Sequence, residues 1–196
     1  DPLTVAVDAT HRSGTIEQRF CETAADARGD ALLTLYRHFQ PVSSLVFCQT
    51  RKACDEVAAF LREHRIEALS LHGDLEQSER DAVLAQFANG SCPVVVATDV
   101  AARGLDVPGL AAVFNHDLPR DGAVYLHRIG RTGRAGQTGM AISLFAADEE
   151  RRLEAIAAET GEPCRRLALS SLEADPRFRM IEADIAIESE SGVLVL

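Results

Sequence analysis

Short apolar runs separated by amphipathic helical patterns constrain this chain more than any other feature in it. Ser44–Cys48 (Ser-Leu-Val-Phe-Cys), Ala68–Leu71, Val94–Ala97, Ala111–Phe114 and Met140–Phe145 are too short for core helices and suit buried strands. Between them, Lys52–His64 puts Val57, Phe60 and Leu61 on one helical face, and Glu76–Ala88 does the same with Val83, Leu84 and Phe87. Ala123–Arg131 and Asp148–Thr160 continue the helical series. Strands apolar on both sides must be covered on both sides, and strand–helix alternation supplies the crossovers that parallel pairing needs. The pattern therefore predicts an α/β fold, a parallel sheet with helices on both faces. Thr15–Thr23 adds an edge strand and Asp30–Phe39 a helix capped by Asp30. Beyond Pro163 the pattern weakens: Met180–Ile187 alternates as one strand would, and Val193–Leu196 is apolar.

Composition narrows the function classes. No run approaches the ~20 apolar residues of a membrane-spanning helix, and the first residues, Asp-Pro-Leu-Thr, do not form a secretory leader. The five cysteines (21, 48, 54, 92 and 164) are scattered without a Cys-x-x-Cys pair, as expected for reduced thiols in the cytoplasm. The six histidines are dispersed and show no metal-ligand spacing. A net charge of −10 argues against a broad nucleic-acid-coating surface. That average hides local contrast. Segment 171–196 carries two arginines against six carboxylates, while 127–136 carries three arginines and no acid.

The basic stretch is His127-Arg128-Ile129-Gly130-Arg131-Thr132-Gly133-Arg134. On a continuous helix, positions 127, 131 and 134 share a face. Arginine's rigid fork of donors fits phosphate oxygens, so the stretch reads as a phosphate clamp. Three further motifs fall where parallel strands end, the edge at which such sheets bind ligands. Phe47-Cys48-Gln49-Thr50-Arg51 offers hydroxyl, amide and backbone N–H groups at a helix start, or a plain helix cap. In His72-Gly73-Asp74, Gly73 permits a tight turn and Asp74 can cap the next helix, while Gln77 and Arg80 share a helical face. Ala97-Thr98-Asp99-Val100-Ala101-Ala102-Arg103-Gly104-Leu105-Asp106 joins a buried strand to small residues, then Arg-Gly, then an acid able to accept from a sugar hydroxyl.

Together and in this order, these four motifs resemble those of the second, C-terminal RecA-like domain of DEAD-box RNA helicases. The resemblance covers roughly residues 1–168 and is nearest the DbpA subgroup, through Ala68–Gln77 and Phe87–Ser91. That subgroup acts on ribosomal RNA in large-subunit assembly. The resemblance implies that Arg131 and Arg134 are arginine fingers reaching the ATP γ-phosphate, and that Asp106 contacts the ribose. It implies that His127 and Arg128 link to an upstream RecA-like domain. It implies that Gln49, Thr50, Arg51, Gly73, Gln77, Arg80, Thr98, Arg103 and Gly104 hold the RNA sugar-phosphate backbone, contacts that give affinity without sequence choice.

The 196 residues contain no Gly-x-x-x-x-Gly-Lys-Ser/Thr, Asp-Glu-Ala-Asp or Ser-Ala-Thr. ATP with Mg²⁺ is accordingly expected to be held mainly by the upstream domain, and the chain by itself to be inactive. The expected organisation is an interdomain linker at 1–12, a RecA-like domain at 13–168, and an acidic extension at 169–196, either a linker or the stump of an RNA-binding domain. The competing readings are a stand-alone module that binds RNA or an anionic protein without chemistry, and half of a DNA-directed helicase.

Overall fold

In a computed structural model of the chain, the structure describes residues 16–103, 109–133, 138–161 and 163–173. Six strands form one sheet: β1 (Ile16–Glu22), β2 (Ser44–Phe47), β3 (Ala68–Leu71), β4 (Val94–Ala97), β5 (Ala112–Asn115) and β6 (Gly139–Phe145). Their spatial order is β1-β6-β5-β2-β4-β3. Every pairing is parallel, with Ser44 beside both Val94 and Ala112, and Ile16 beside Gly139. The helices are α1 (Arg28–Phe39), α2 (Arg51–Glu63), α3 (Gln77–Ala88), α4 (Asp99–Ala102), α5 (Gly122–Ile129), α6 (Glu150–Thr160) and α7 (Leu169–Glu173). The expected RecA-like α/β fold is the observed one.

Strand alternation divides the core between the two faces. Val46, Val94, Val96, Phe114 and Ile142 meet Leu32 and Leu35 of α1, Val57 and Leu61 of α2, and Leu172 of α7. Leu45, Phe47, Val95 and Val113 point the other way, onto Val83 and Phe87 of α3 and Ala101 and Ala102 of α4. On that second side, toward β1, Phe20, Ala141 and Phe145 pack on Tyr125 and Ile129 of α5 and on Leu153 and Ile156 of α6. None of the five cysteines is disulfide-bonded, and four of them are buried.

Some local expectations change. Asp30 does not cap α1, which starts two residues earlier; it lies in the first turn, where a carboxylate favours the helix dipole. Asp74 does not cap α3 but pairs with Arg51 across the groove. The start of α3 is instead secured by Glu79, whose carboxylate accepts the Glu76 N–H at 2.9 Å. Gly73 keeps an ordinary backbone and has room for a Cβ, so no tight turn demands a glycine there. The helix expected to run through Arg131 ends at Ile129 with Gly130 as its C-cap. Helix α7, absent from the expectation, packs through Leu172 on the α1 side of the core. The expectations for 1–12, Met180–Ile187 and Val193–Leu196, and for Gly104, Asp106 and Arg134, lie outside the described residues.

Candidate nucleotide and nucleic-acid interface

All-parallel pairing brings every strand's C-terminal end to one edge of the sheet, and three of the four motifs leave from there, while the turn after α5 lies beside Leu110 and Gly139 at the entering ends of β5 and β6. Gln49–Lys52 follow β2, Gly73 follows β3, and Thr98 and Val100 follow β4; together they line a groove of about 490 Å³. Two threonines are built alike. Thr50 Oγ1 accepts the Ala53 N–H at 3.1 Å and caps α2, and Thr98 Oγ1 accepts the Ala101 N–H at 3.4 Å and caps α4. Each hydroxyl oxygen is engaged as an acceptor, so its proton can be donated into the groove. The first turn of α2 adds Arg51 and Lys52 and no acid. A helix start with basic side chains and donor hydroxyls is suited to a phosphate.

The other expected residues arrange themselves around this groove. Arg80 donates from Nη2 to the Ala101 carbonyl at 2.6 Å, tying α3 to the end of α4. Arg103 follows directly as the α4 C-cap. Gln77 donates to Asp81 along its own helix at 2.8 Å. His72 is buried, and its Nε2 lies 3.0 Å from Asp55 Oδ1. Asp55 also accepts from Ser70 Oγ at 2.6 Å. The Ser70 hydrogen bond foremost, helped by the His72 hydrogen bond and charge, holds the Asp55 carboxyl below its usual range against the opposing effect of burial.

On α5 the basic stretch divides. His127 is exposed, and its Nε2 lies 2.6 Å from Nη2 of Arg131, which follows the helix end. Arg128 turns inward and is 1% exposed. It grips Asp99 with two prongs, Nε to Oδ1 at 2.7 Å and Nη2 to Oδ2 at 2.9 Å. Its Nη1 donates to Asn115 Oδ1 at 3.0 Å and to the Asp117 carbonyl at 2.8 Å. Asn115 in turn donates to Ser143 on β6 at 2.8 Å. The guanidinium also lies over the Phe47 ring, 4.9 Å from its centroid. One side chain thus joins α4, α5, β5 and, through Asn115, β6.

Asp117, just past β5, is a second node that the sequence reading missed. It accepts from Arg28 Nη1 at 2.7 Å and from the Gln49 N–H at 2.9 Å. Arg28 also pairs with Glu149. Burial pushes the Asp117 carboxyl up, but the His116 ring, the Gln49 N–H and the Arg28 charge outweigh it and hold it at about 2. No sequence spacing announces this node, because Gln49 and Asp117 are 68 residues apart.

Known proteins share both the sequence pattern and the fold. Residues 28–136 match the family model of the helicase conserved C-terminal domain. The ATP-dependent RNA helicase DbpA of Escherichia coli is 50% identical over 156 residues, covering 80% of this chain and 34% of DbpA. A probable ATP-dependent RNA helicase, DDX4 of Pelophylax lessonae, is 44% identical over 140 residues, 70% of this chain and 19% of that protein. The chain thus spans about a third or less of these relatives. Among solved structures, Escherichia coli SrmB in complex with the regulator of ribonuclease activity A superposes with a TM-score of 0.74 at 36% identity, covering 80% of this chain and 92% of that one. The C-terminal domain of the DEAD-box protein Dbp5 superposes at 0.75 with 32% identity, covering 86% and 98%. With its all-parallel sheet and its matched sequence, the chain belongs to the helicase conserved C-terminal domain family, in the DEAD-box branch.

Proposed function

We propose that this chain is the C-terminal RecA-like half of an ATP-dependent RNA helicase, with domain limits near 13–168. The groove lined by Thr50, Arg51, Gly73 and Thr98 holds the RNA backbone, with Gln49, Gln77, Arg80, Arg103 and Gly104 around it. Arg131 and Arg134 act as arginine fingers toward a nucleotide held mainly by an upstream RecA-like domain, and His127 faces that domain. Asp106 accepts from the ribose. Arg128 serves the same surface from inside by fixing α5 to α4. The single observation that carries the reading is the groove at the C-terminal ends of β2, β3 and β4, where two helix-capping threonine hydroxyls and two basic side chains suit a phosphate backbone. Solved Dbp5 bound to RNA and ADP BeF3 has the same fold, with a TM-score of 0.76 at 32% identity.

A cationic donor pair at the cleft suits a triphosphate. ATP, when bound with Mg²⁺, supplies the phosphoryl group; Arg131 and Arg134 stabilise the charge that develops on its oxygens. The proposed substrate, from the sequence resemblance to the DbpA subgroup, is ribosomal RNA, and cysteines without disulfides accord with work in the cytoplasm. The test is Arg131→Ala and Arg134→Ala in the full-length protein. Each should lower RNA-stimulated ATP turnover by about 10³-fold or more, with a stability change of about 0.5 kcal/mol or less. Normal RNA-stimulated turnover in either variant refutes the finger assignment.

A further inference from the structure

Behind the groove, the ends of β2 and β5 bring together three side chains of different donor chemistry. Cys48 offers Sγ, His116 a ring nitrogen and Asp117 a carboxylate oxygen, all within 4.8 Å of one another. We propose that Cys48, His116 and Asp117 form a binding site for a zinc-class divalent cation.

Geometry comes first. His116 Nδ1 is buried without a hydrogen-bond partner, although it lies 3.6 Å from Asp117 Oδ1. That separation is too long for a hydrogen bond. It is close to the ~3.4 Å expected between a nitrogen and an oxygen that share one tetrahedral zinc at bonds of about 2.0–2.2 Å. A buried ring nitrogen without a hydrogen bond is open to a cation as its partner. The carboxylate is already oriented as a ligand should be. Arg28 and the Gln49 N–H each occupy one site on its two oxygens, leaving the remaining lone pairs.

The charges around the cluster balance: Arg28, Arg128 and Arg152 face Asp99, Asp117 and Glu149. A Cys48 thiolate would add one negative charge, and a divalent cation would offset it. Binding by a Cys48 thiol would replace its S–H bond by a sulfur–metal bond and release one proton to solvent. Soft sulfur together with nitrogen and oxygen donors selects zinc, cobalt or cadmium over magnesium or calcium.

The test adds Co²⁺ to the 196-residue chain under reducing conditions and reads the thiolate-to-metal charge-transfer absorption. The wild type should develop the band, Zn²⁺ should abolish it by displacement, and Mg²⁺ should not. Cys48→Ser should lose the band, and His116→Phe should weaken Co²⁺ affinity at least tenfold. Cys21→Ser and Cys164→Ser should keep it. Should Cys48→Ser fail to fold, judged by far-ultraviolet circular dichroism, His116→Phe at its partly exposed position decides. Absence of a band in the wild type, equal affinity in His116→Phe, or a band that disappears only with another cysteine overturns the proposal.

Discussion

Arg128 sets how firmly α4, α5 and β5 are held together. Its guanidinium is almost fully enclosed and engages Asp99, Asn115 and the Asp117 carbonyl. Removing one partner of a buried ion pair leaves the other uncompensated, so Arg128→Ala should destabilise the chain by about 3–5 kcal/mol in denaturant unfolding. Arg128→Lys should recover only part of this, because an ammonium cannot reproduce the two-pronged grip on Asp99. The sequence shows Arg128 as one member of a basic row beside His127, Arg131 and Arg134. Its inward turn was not legible there. Its partners Asp99 and Asn115 lie 29 and 13 residues away, and only the fold brings them close. Thr50 and Thr98 were more legible, since a hydroxyl residue ahead of a helical pattern is a local signal and both do cap helices.

At the scale of elements, the turn carrying Arg131 depends on the strand beside it. A Cβ on Gly139, the first residue of β6, would run into Thr132 Oγ1 and the backbone nitrogen of Gly133. Gly133 itself sits at φ +67°, a conformation that L side chains resist. Gly139→Ala should therefore displace the 131–133 turn and the register of β6 together. An increase of about 1–3 kcal/mol in unfolding susceptibility is expected, with loss of Arg131-dependent turnover in the full-length protein. An unchanged unfolding midpoint would contradict it. Strand positions were legible to within about a residue, because β-branched runs such as Val94–Val96 act locally. Helix ends were less so. Asp30 and Asp74 both look like caps in sequence, yet the chain enters α1 earlier and Asp74 is drawn to Arg51. The packing of Leu172 that places α7 is tertiary and leaves no periodic trace.

For the whole molecule, parallel pairing was legible from strand–helix alternation, but the order β1-β6-β5-β2-β4-β3 was not. Neighbours in that order are up to 123 residues apart, as Ile16 and Gly139 are, and no local pattern encodes the choice. The net charge also belongs to this scale. At −10, the chain should repel RNA at long range, while the proposed groove should attract a few phosphates. The isolated chain should bind single-stranded RNA no more tightly than about micromolar at physiological salt, with affinity falling as salt rises. Fluorescence anisotropy across a salt series checks this, and nanomolar binding would contradict it. The one-edged arrangement has a practical corollary. The loops entering the strands, such as Gln40–Ser43 before β2, lie across a four-residue strand, about 13 Å from the groove. Val42 in that loop is 85% exposed. A dye, an epitope or a fused domain inserted there would ride on the far side of the sheet from the groove and leave the groove untouched, but it would adjoin the segment that Ser43 and Arg131 both bond and so report on the 131–133 turn.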